Sequence, residues 1–256
     1  MFSIYTSAFN LIKNNFNYKF HIQNFSQFAE EVVIAINTSE DNSLNEIRDF
    51  VIENYDNVRI LETNFNYDDP LLDGKIKNAA LQATTKDVKI GLDMDEYIPL
   101  WEKSLWQNLA TQLIYSTYKS VMIPSLNLFK DKDHYFSINP KWYMHSKGFF
   151  RGPVNFARKQ NGTVDTTKSD TCELIDENGN IPYSIQIPHD INSLRTGNIP
   201  FVVHTGYVNL ENRLIRNKNF WKKHWKIESG GIEPTHKVHE YLEDFKENYQ
   251  EHKLDI

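Results

Sequence analysis

The chain has 256 residues, enough to bury a substantial core as one large domain. It is 40% hydrophobic and 24% charged with a formal net charge of -6, which argues against bulk nucleic-acid or anionic-membrane binding. A single cysteine, Cys172, excludes an intrachain disulfide and a cysteine-rich zinc site, and no window approaches the roughly 20 apolar residues of a membrane span.

In chain order, "FSIYTSA" at residues 2–8 reads as a strand. "FSQFAEEVVIAIN" reads as the end of a helix running into a second strand, Val32 to Ile36. Ser43 and Glu46 have the spacing of a capping box, and Leu44, Ile47, Val51 and Tyr55 recur on one face of the helix that follows. "NVRILE" is a third strand, "GKIKNAALQATT" a helix, and "VKIGL" a fourth strand. Strands alternating with helices at this spacing predict a largely parallel sheet in an α/β fold. Pro99 then opens a helix over "LWEKSLWQNLATQLIYS". "KSVMIPS" reads as a strand, residues 127–200 are irregular, and "IPFVVHTGY" is a short buried strand ending at His204. Val238, Tyr241, Leu242, Phe245 and Tyr249 mark an amphipathic C-terminal helix.

The fourth strand ends in "DMDEYIP", with Asp93, Asp95 and Glu96 at its tip. Ligands of open α/β sheets bind beyond the carboxyl ends of the strands. Alternate residues of an extended tip point the same way, so Asp93 and Asp95 can share one face around a hard divalent cation. A solvated turn leading to a helix start accounts for the same acids.

The surroundings favour the first reading. The chain resembles the family 2-type glycosyltransferases of the GT-A fold. That family opens with a strand and a small, polar turn, matched by Ile4 to Asn10. A second strand ending in an acidic turn follows, matched by residues 33–41. A glycine precedes an Arg-Asn pair, matched by Gly74 and Lys77-Asn78, and the aspartates follow at the interval seen for Asp93 and Asp95. The resemblance covers about residues 2–100 in order. The chain departs from the family at Asn37, where an acid usually reads the base. It departs again at Lys77, which keeps the charge of the usual Arg without its fork.

The resemblance implies a GT-A, Rossmann-like fold as one catalytic domain over 1–256. Residues 1–100 would form the nucleotide-sugar half, 101–230 the acceptor side and 231–256 the terminal helix. The central sheet would be mainly parallel and flanked by helices. The implied activity is metal-dependent transfer of a sugar to a hydroxyl acceptor, in a saccharide or on a protein. The donor would be a nucleotide-sugar, UDP-linked by resemblance, with Asn37 leaving GDP open. Thr6, Ser7, Phe9, Asn37, Lys77 and Asp93 would line the donor pocket. Asp95 would be the principal ligand of Mn²⁺ or Mg²⁺, beside Asp93 and with His204 as a further ligand; imidazole favours Mn²⁺.

In the second half, Arg213 and Lys218 are the cations chosen to close over the diphosphate. Trp142, Lys147 and Arg151 are candidate acceptor contacts. An inverting reaction needs a carboxylate base, for which Asp170 and Glu173 are the candidates; a retaining reaction needs none. No basic, apolar leader follows Met1, so a cytoplasmic location is expected. Two other readings remain. One is a non-catalytic carbohydrate-binding or scaffold protein of the same fold. The other is a D-x-D phosphatase, which normally carries its pair on the first strand, followed by a small residue and Thr.

Overall fold

A computed structural model of the chain describes residues 2–38, 41–67, 69, 72–123, 125–129, 132, 134–138, 147–151, 154–160, 163–165, 173–176, 184–186, 200–208 and 249–253. The first half alternates β1 (Phe2–Ala8), α1 (Tyr18–Phe28), β2 (Glu31–Asn37), α2 (Ser43–Asn54), β3 (Val58–Thr63), α3 (Leu72–Gln82) and β4 (Val88–Gly91). Next come the two-residue β5 (Glu96–Tyr97), a 3-10 turn at Leu100–Glu102 and α4 (Lys103–Tyr115). The second half contributes β6 (Ser120–Ile123), β7 (Ser125–Phe129), β8 (His134–Ile138), β9 (Lys147–Arg151) and β10 (Val154–Gln160). It continues with β11 (Thr163–Asp165), β12 (Glu173–Asp176), β13 (Ser184–Gln186), β14 (Val202–Tyr207) and β15 (Tyr249–Lys253).

The fold is α/β, with a mainly parallel central sheet flanked by helices. Its seven strands run β13-β6-β9-β4-β1-β2-β3. The run β3-β2-β1-β4 is parallel, and β9 is antiparallel to both its neighbours, β4 and β6. The chain steps outward from β1 through β2 to β3, then returns to place β4 on the other flank of β1. A right-handed crossover in that reversed direction must put its helix on the opposite face of the sheet. The core obeys this. Ile4, Val32, Ile34 and Ile36 share one cluster with Ile22, Phe25, Ile47 and Trp106 from α1, α2 and α4. Tyr5, Val33 and Ala35, on the other face, pack with Leu72, Ile76, Ala80 and Leu81 of α3. Burying each of these larger aliphatic or aromatic side chains contributes about 1.5–3 kcal/mol. Gly91 is needed where β4 passes Tyr5: a Cβ there would lie 2.7 Å from the ring of that fully packed side chain.

A second sheet, β15-β8-β7-β14-β5, stands beside the first, and β10 of a small β11-β10-β12 sheet lies against α3. Glu102 helps to join the two halves. Its Oε2 accepts from the indole N–H of Trp106 at 2.9 Å and from the Phe201 amide, just before β14, at 3.1 Å. Oε1 is buried and has no hydrogen-bond partner among the described residues. Burial pushes this carboxyl up to about 7, although both donated hydrogen bonds pull the other way.

Several elements differ from the sequence reading. The capping box does not form, because Ser43 lies inside α2 and its Oγ accepts from the Ile12 amide. Asp41 takes the Ser43 amide instead, and Glu46 accepts from the Tyr18 hydroxyl. Pro99 stays extended before the 3-10 turn, so α4 begins at Lys103. The segment expected to be irregular contains short, mostly antiparallel strands. β14 continues past His204 to Tyr207, and Tyr249–Lys253 is a strand paired with β8 rather than the end of a helix. Residues 209–248, where most of that helix was expected, lie outside the described residues. No helix among the described residues is long and apolar enough to cross a membrane.

The Glu102 carboxyl makes stability depend on pH. The unfolded chain loses this proton near 4.5 and the folded protein only near 7, so the native state holds the extra proton between those values. The Glu102 contribution to stability is therefore fully present below about 4.5 and is lost as pH rises through 7, by an amount on the order of 3 kcal/mol. Glu102→Gln keeps an acceptor for Trp106 and Phe201 and should remove this slope. Urea denaturation of both proteins from pH 4.5 to 8 measures it.

Candidate functional site

The reversal of strand order beside β1 opens a crevice at the carboxyl ends of β1 and β4, the place where open α/β sheets bind ligands. The Leu92 amide donates to Tyr5 O at 3.1 Å, and the chain then makes a four-residue turn. That turn is closed by the Glu96 amide donating to Asp93 O at 2.9 Å. Its middle residues are Met94, which is buried, and Asp95. Glu96 is also buried, and its carboxylate accepts the Asp93 amide at 2.8 Å. The third acid of the cluster thus holds the turn from within.

The two aspartates of D-x-D meet different partners. Asp93 Oδ1 lies 2.7 Å from Lys77 Nζ, while Asp95 Oδ2 lies 3.5 Å from His204 Nε2. Among the described residues no group of three His, Cys, Asp or Glu side chains is close enough together to hold a metal ion.

Lys77 lies in the middle of α3, not at a helix start, and its side chain is only 14% exposed. Its ammonium also meets Asp73 Oδ2, one helical turn earlier, at 3.2 Å. The Ser7 hydroxyl donates to the other oxygen of Asp73 at 3.0 Å. Burial works against the charged form of Lys77, but Asp73 and Asp93 outweigh it and hold the ammonium above its ordinary value. Tyr5 lies beneath, its phenol pushed well above the ordinary range by burial.

His204 arrives from more than a hundred residues away through strand pairing. β14 runs antiparallel to β5, with His204 opposite Glu96. The Thr205 amide and hydroxyl then both donate to Asp95 O, at 2.7 and 2.8 Å. On its other side β14 is parallel to β7, which sets His204 beside Asn127. His204 Nδ1 donates to Asn127 Oδ1 at 2.7 Å, leaving Nε2 toward Asp95. The register with β7 shifts between His204 and Tyr207, the position of Gly206, and such a bulge re-aims the neighbouring side chains.

The remaining expected site residues fall in different places. Asn37 is fully buried. Its Oδ1 accepts from the Thr63 hydroxyl and the Phe65 amide, and its amide group donates to Thr38 O and Phe65 O. The group expected at a base edge is thus engaged in shaping the chain after β3. Thr6 is buried within β1, and Phe9 packs against the cluster on the α3 side. Lys147 is level with Ile123 at the carboxyl end of β6, whereas Arg151 is level with Val88 at the start of β4. Four residues of strand separate these two cations by roughly 13 Å. Glu173 begins β12 of the small sheet, opposite Ala157. Trp142, Asp170, Arg213 and Lys218 lie outside the described residues.

Asp73, Asn127 and Thr205 were missed in the sequence. The Asp73–Lys77 spacing of an i, i+4 pair was the available signal for the first. Asn127 and Thr205 had no local signal, because strand register alone brings them in.

No family model matches the chain, and no curated protein does. Among solved structures, it is similar to the mannosyltransferase PcManGT from Pyrobaculum calidifontis in complex with GDP-Man and Mn²⁺. Identity there is 15%, over 91% of this chain and 65% of that one, at a TM-score of 0.48. S. aureus TarS 1-349 with UDP-GlcNAc gives 13% identity over 88% and 72% of the two chains, at a TM-score of 0.42. TarS 1-349 with UDP gives 20% over 50% and 36%, at 0.39. This chain therefore spans only about a third of the length of the last and under two thirds of the mannosyltransferase. At scores below 0.5 these likenesses decide nothing about the chain.

The Lys77 network has a direct consequence for stability. Lys77→Met leaves the mostly buried Asp73, and the partly exposed Asp93, without the cation that compensates them. The expected loss is about 3 kcal/mol, read from urea denaturation at neutral pH, and partial recovery is expected when Asp73→Asn is added.

Proposed function

We propose that the protein is a glycosyltransferase that moves a sugar from a nucleotide-sugar, UDP-linked, to a hydroxyl acceptor with a divalent metal at the diphosphate. The single observation that carries this reading is the D-x-D turn at the switch point, with Asp95 facing His204 across 3.5 Å. The GT-A resemblance of residues 2–100 supports it.

The donor set suits a hard-to-borderline divalent cation. His204 Nδ1 donates to Asn127, so in the neutral ring Nε2 presents a lone pair toward a carboxylate oxygen. Two electron-pair donors facing each other call for a cation or a proton between them. A histidine with its other nitrogen tied to a carbonyl oxygen is the usual arrangement for metal ligation. Asp95 and His204 would hold the ion, with the rest of its coordination left to phosphate and water. When bound, it would supply Lewis-acid stabilisation of the departing nucleoside diphosphate.

The chain's own residues divide the remaining work. Asp93, on the Lys77 side of the turn, would face the ribose, and Lys77 would set a fixed positive charge beside the diphosphate. Ser7 would orient Asp73, and through it Lys77, at the mouth of β1. Thr6, Phe9 and Asn37 would act as walls of the nucleoside pocket, Asn37 by holding the backbone at Phe65. Arg213 and Lys218 would close over the diphosphate. Trp142 and Lys147 would meet the acceptor, with Asp170 or Glu173 as base if the reaction inverts, and Arg151, a strand's length from Lys147, would reach only an extended acceptor. A cytoplasmic location belongs to the same reading.

Asp95 joins β14 through its backbone carbonyl, so Asp95→Ala removes the carboxylate without removing that pairing. The expected result is a loss of Mn²⁺-dependent UDP binding of at least ~100-fold by calorimetry, with the thermal midpoint close to the parent's. Asn127→Ala should cost about 10- to 100-fold, the range for outer partners of a metal ligand. Absence of Mn²⁺-dependent UDP binding in the parent, together with no turnover of any nucleotide-sugar, would overturn the reading.

A further inference from the structure

The acidic turn is gripped from behind by α1, a helix with no part in the proposed chemistry. His21 Nδ1 donates to Glu96 O at 2.7 Å. One turn later, Asn24 makes a two-point clasp on the same short segment. Its Nδ2 donates to Ile98 O at 2.7 Å and its Oδ1 accepts the Ile98 amide at 2.9 Å. His21, Asn24, Glu96 and Ile98 are all buried. Burial also pushes the His21 imidazole below its ordinary value, although its hydrogen bond to Glu96 O pulls the other way.

Resting on the glycosyltransferase reading, we infer that His21 and Asn24 are positioning residues, which hold the Asp93–Asp95 turn in its ligand-ready shape by clasping β5. The geometry explains why two polar side chains stand on an otherwise apolar helix face. β5 is only two residues long and pairs with β14 along one side. A strand this short has too few ladder bonds to fix its own position. Its other backbone groups need buried partners, and α1 supplies them. The hold passes directly to the site. The carbonyl taken by His21 belongs to Glu96, whose carboxylate caps the Asp93 amide and whose own amide closes the turn. Release of Glu96 would let Asp93 drift from Lys77 and Asp95 from His204, while the main sheet stays intact. Misplacement of about 1 Å in such a constellation is enough to cost roughly 100-fold in function.

Three variants test the clasp. His21→Phe keeps an aromatic ring between Phe20 and Phe25 and removes only the donor. His21→Asn keeps an N–H donor close to the position of Nδ1. Asn24→Leu removes both bonds to Ile98. Amide hydrogen exchange at residues 93–98 is compared with that of β1 and β2, which report the global fold. Mn²⁺-dependent UDP binding is measured on the same proteins. His21→Phe and Asn24→Leu should raise exchange at 93–98 at least tenfold with β1 and β2 unchanged, and weaken binding about tenfold or more. His21→Asn should recover most of both. Unchanged exchange in His21→Phe and Asn24→Leu would overturn the inference, as would equal losses in His21→Asn and His21→Phe. A parent that binds no nucleotide with Mn²⁺ would refute the functional reading, and the exchange comparison would still decide the clasp.

Discussion

Lys77 is a nearly buried ammonium at the mouth of a sheet crevice, and such a charge is tolerable only with carboxylates in contact. That constraint organises one side of the candidate site. Asp73, one helical turn back, supplies the first carboxylate and ties the helix to Ser7 at the end of β1. Asp93 supplies the second from the end of β4, on the other side of the switch point. The ammonium therefore joins α3, β1 and the acidic turn.

The other half of the site depends on a different force. Asp95 is fixed by its backbone carbonyl, which takes two hydrogen bonds from Thr205, so strand pairing decides where its carboxylate points. Because β14 is shared between β5 and β7, the same pairing delivers His204 and the asparagine that orients it. The site is thus a seam between two sheets. One side is held by charge, the other by backbone register, and Glu96 sits at the join with its carboxylate on Asp93 and its carbonyl on His21.

How much of this was legible in the sequence follows from the range of each interaction. The strands and helices of residues 2–91 could be read because apolar periodicity reports burial locally. Ser43 shows the limit even there. The capping box is a local pattern, but the Ile12 amide claims the Ser43 hydroxyl, Asp41 accepts the Ser43 amide, and the Glu46 carboxylate accepts from Tyr18. Asn37 is a second case: residue type alone did not show that, at the end of β2, its side chain bonds Phe65 and Thr63. The acids at the end of the fourth strand were visible as a cluster, but the sequence reading that a solvated turn accounts for such acids does not describe Glu96, which is buried. Its burial depends on α1 and β14 closing over it.

Taken alone, the sequence determined an α/β chain with parallel strands and the position of its acidic tip, because alternation, spacing and residue type act over a few residues. Tertiary structure alone decided that Asp93 answers to Lys77 and Asp95 to His204, that Asn127 aims the imidazole, and that Lys147 lies level with the end of β6 and Arg151 with the start of β4. Those outcomes depend on strand order and register between segments up to 110 residues apart, and no local pattern encodes which strand lies next to which.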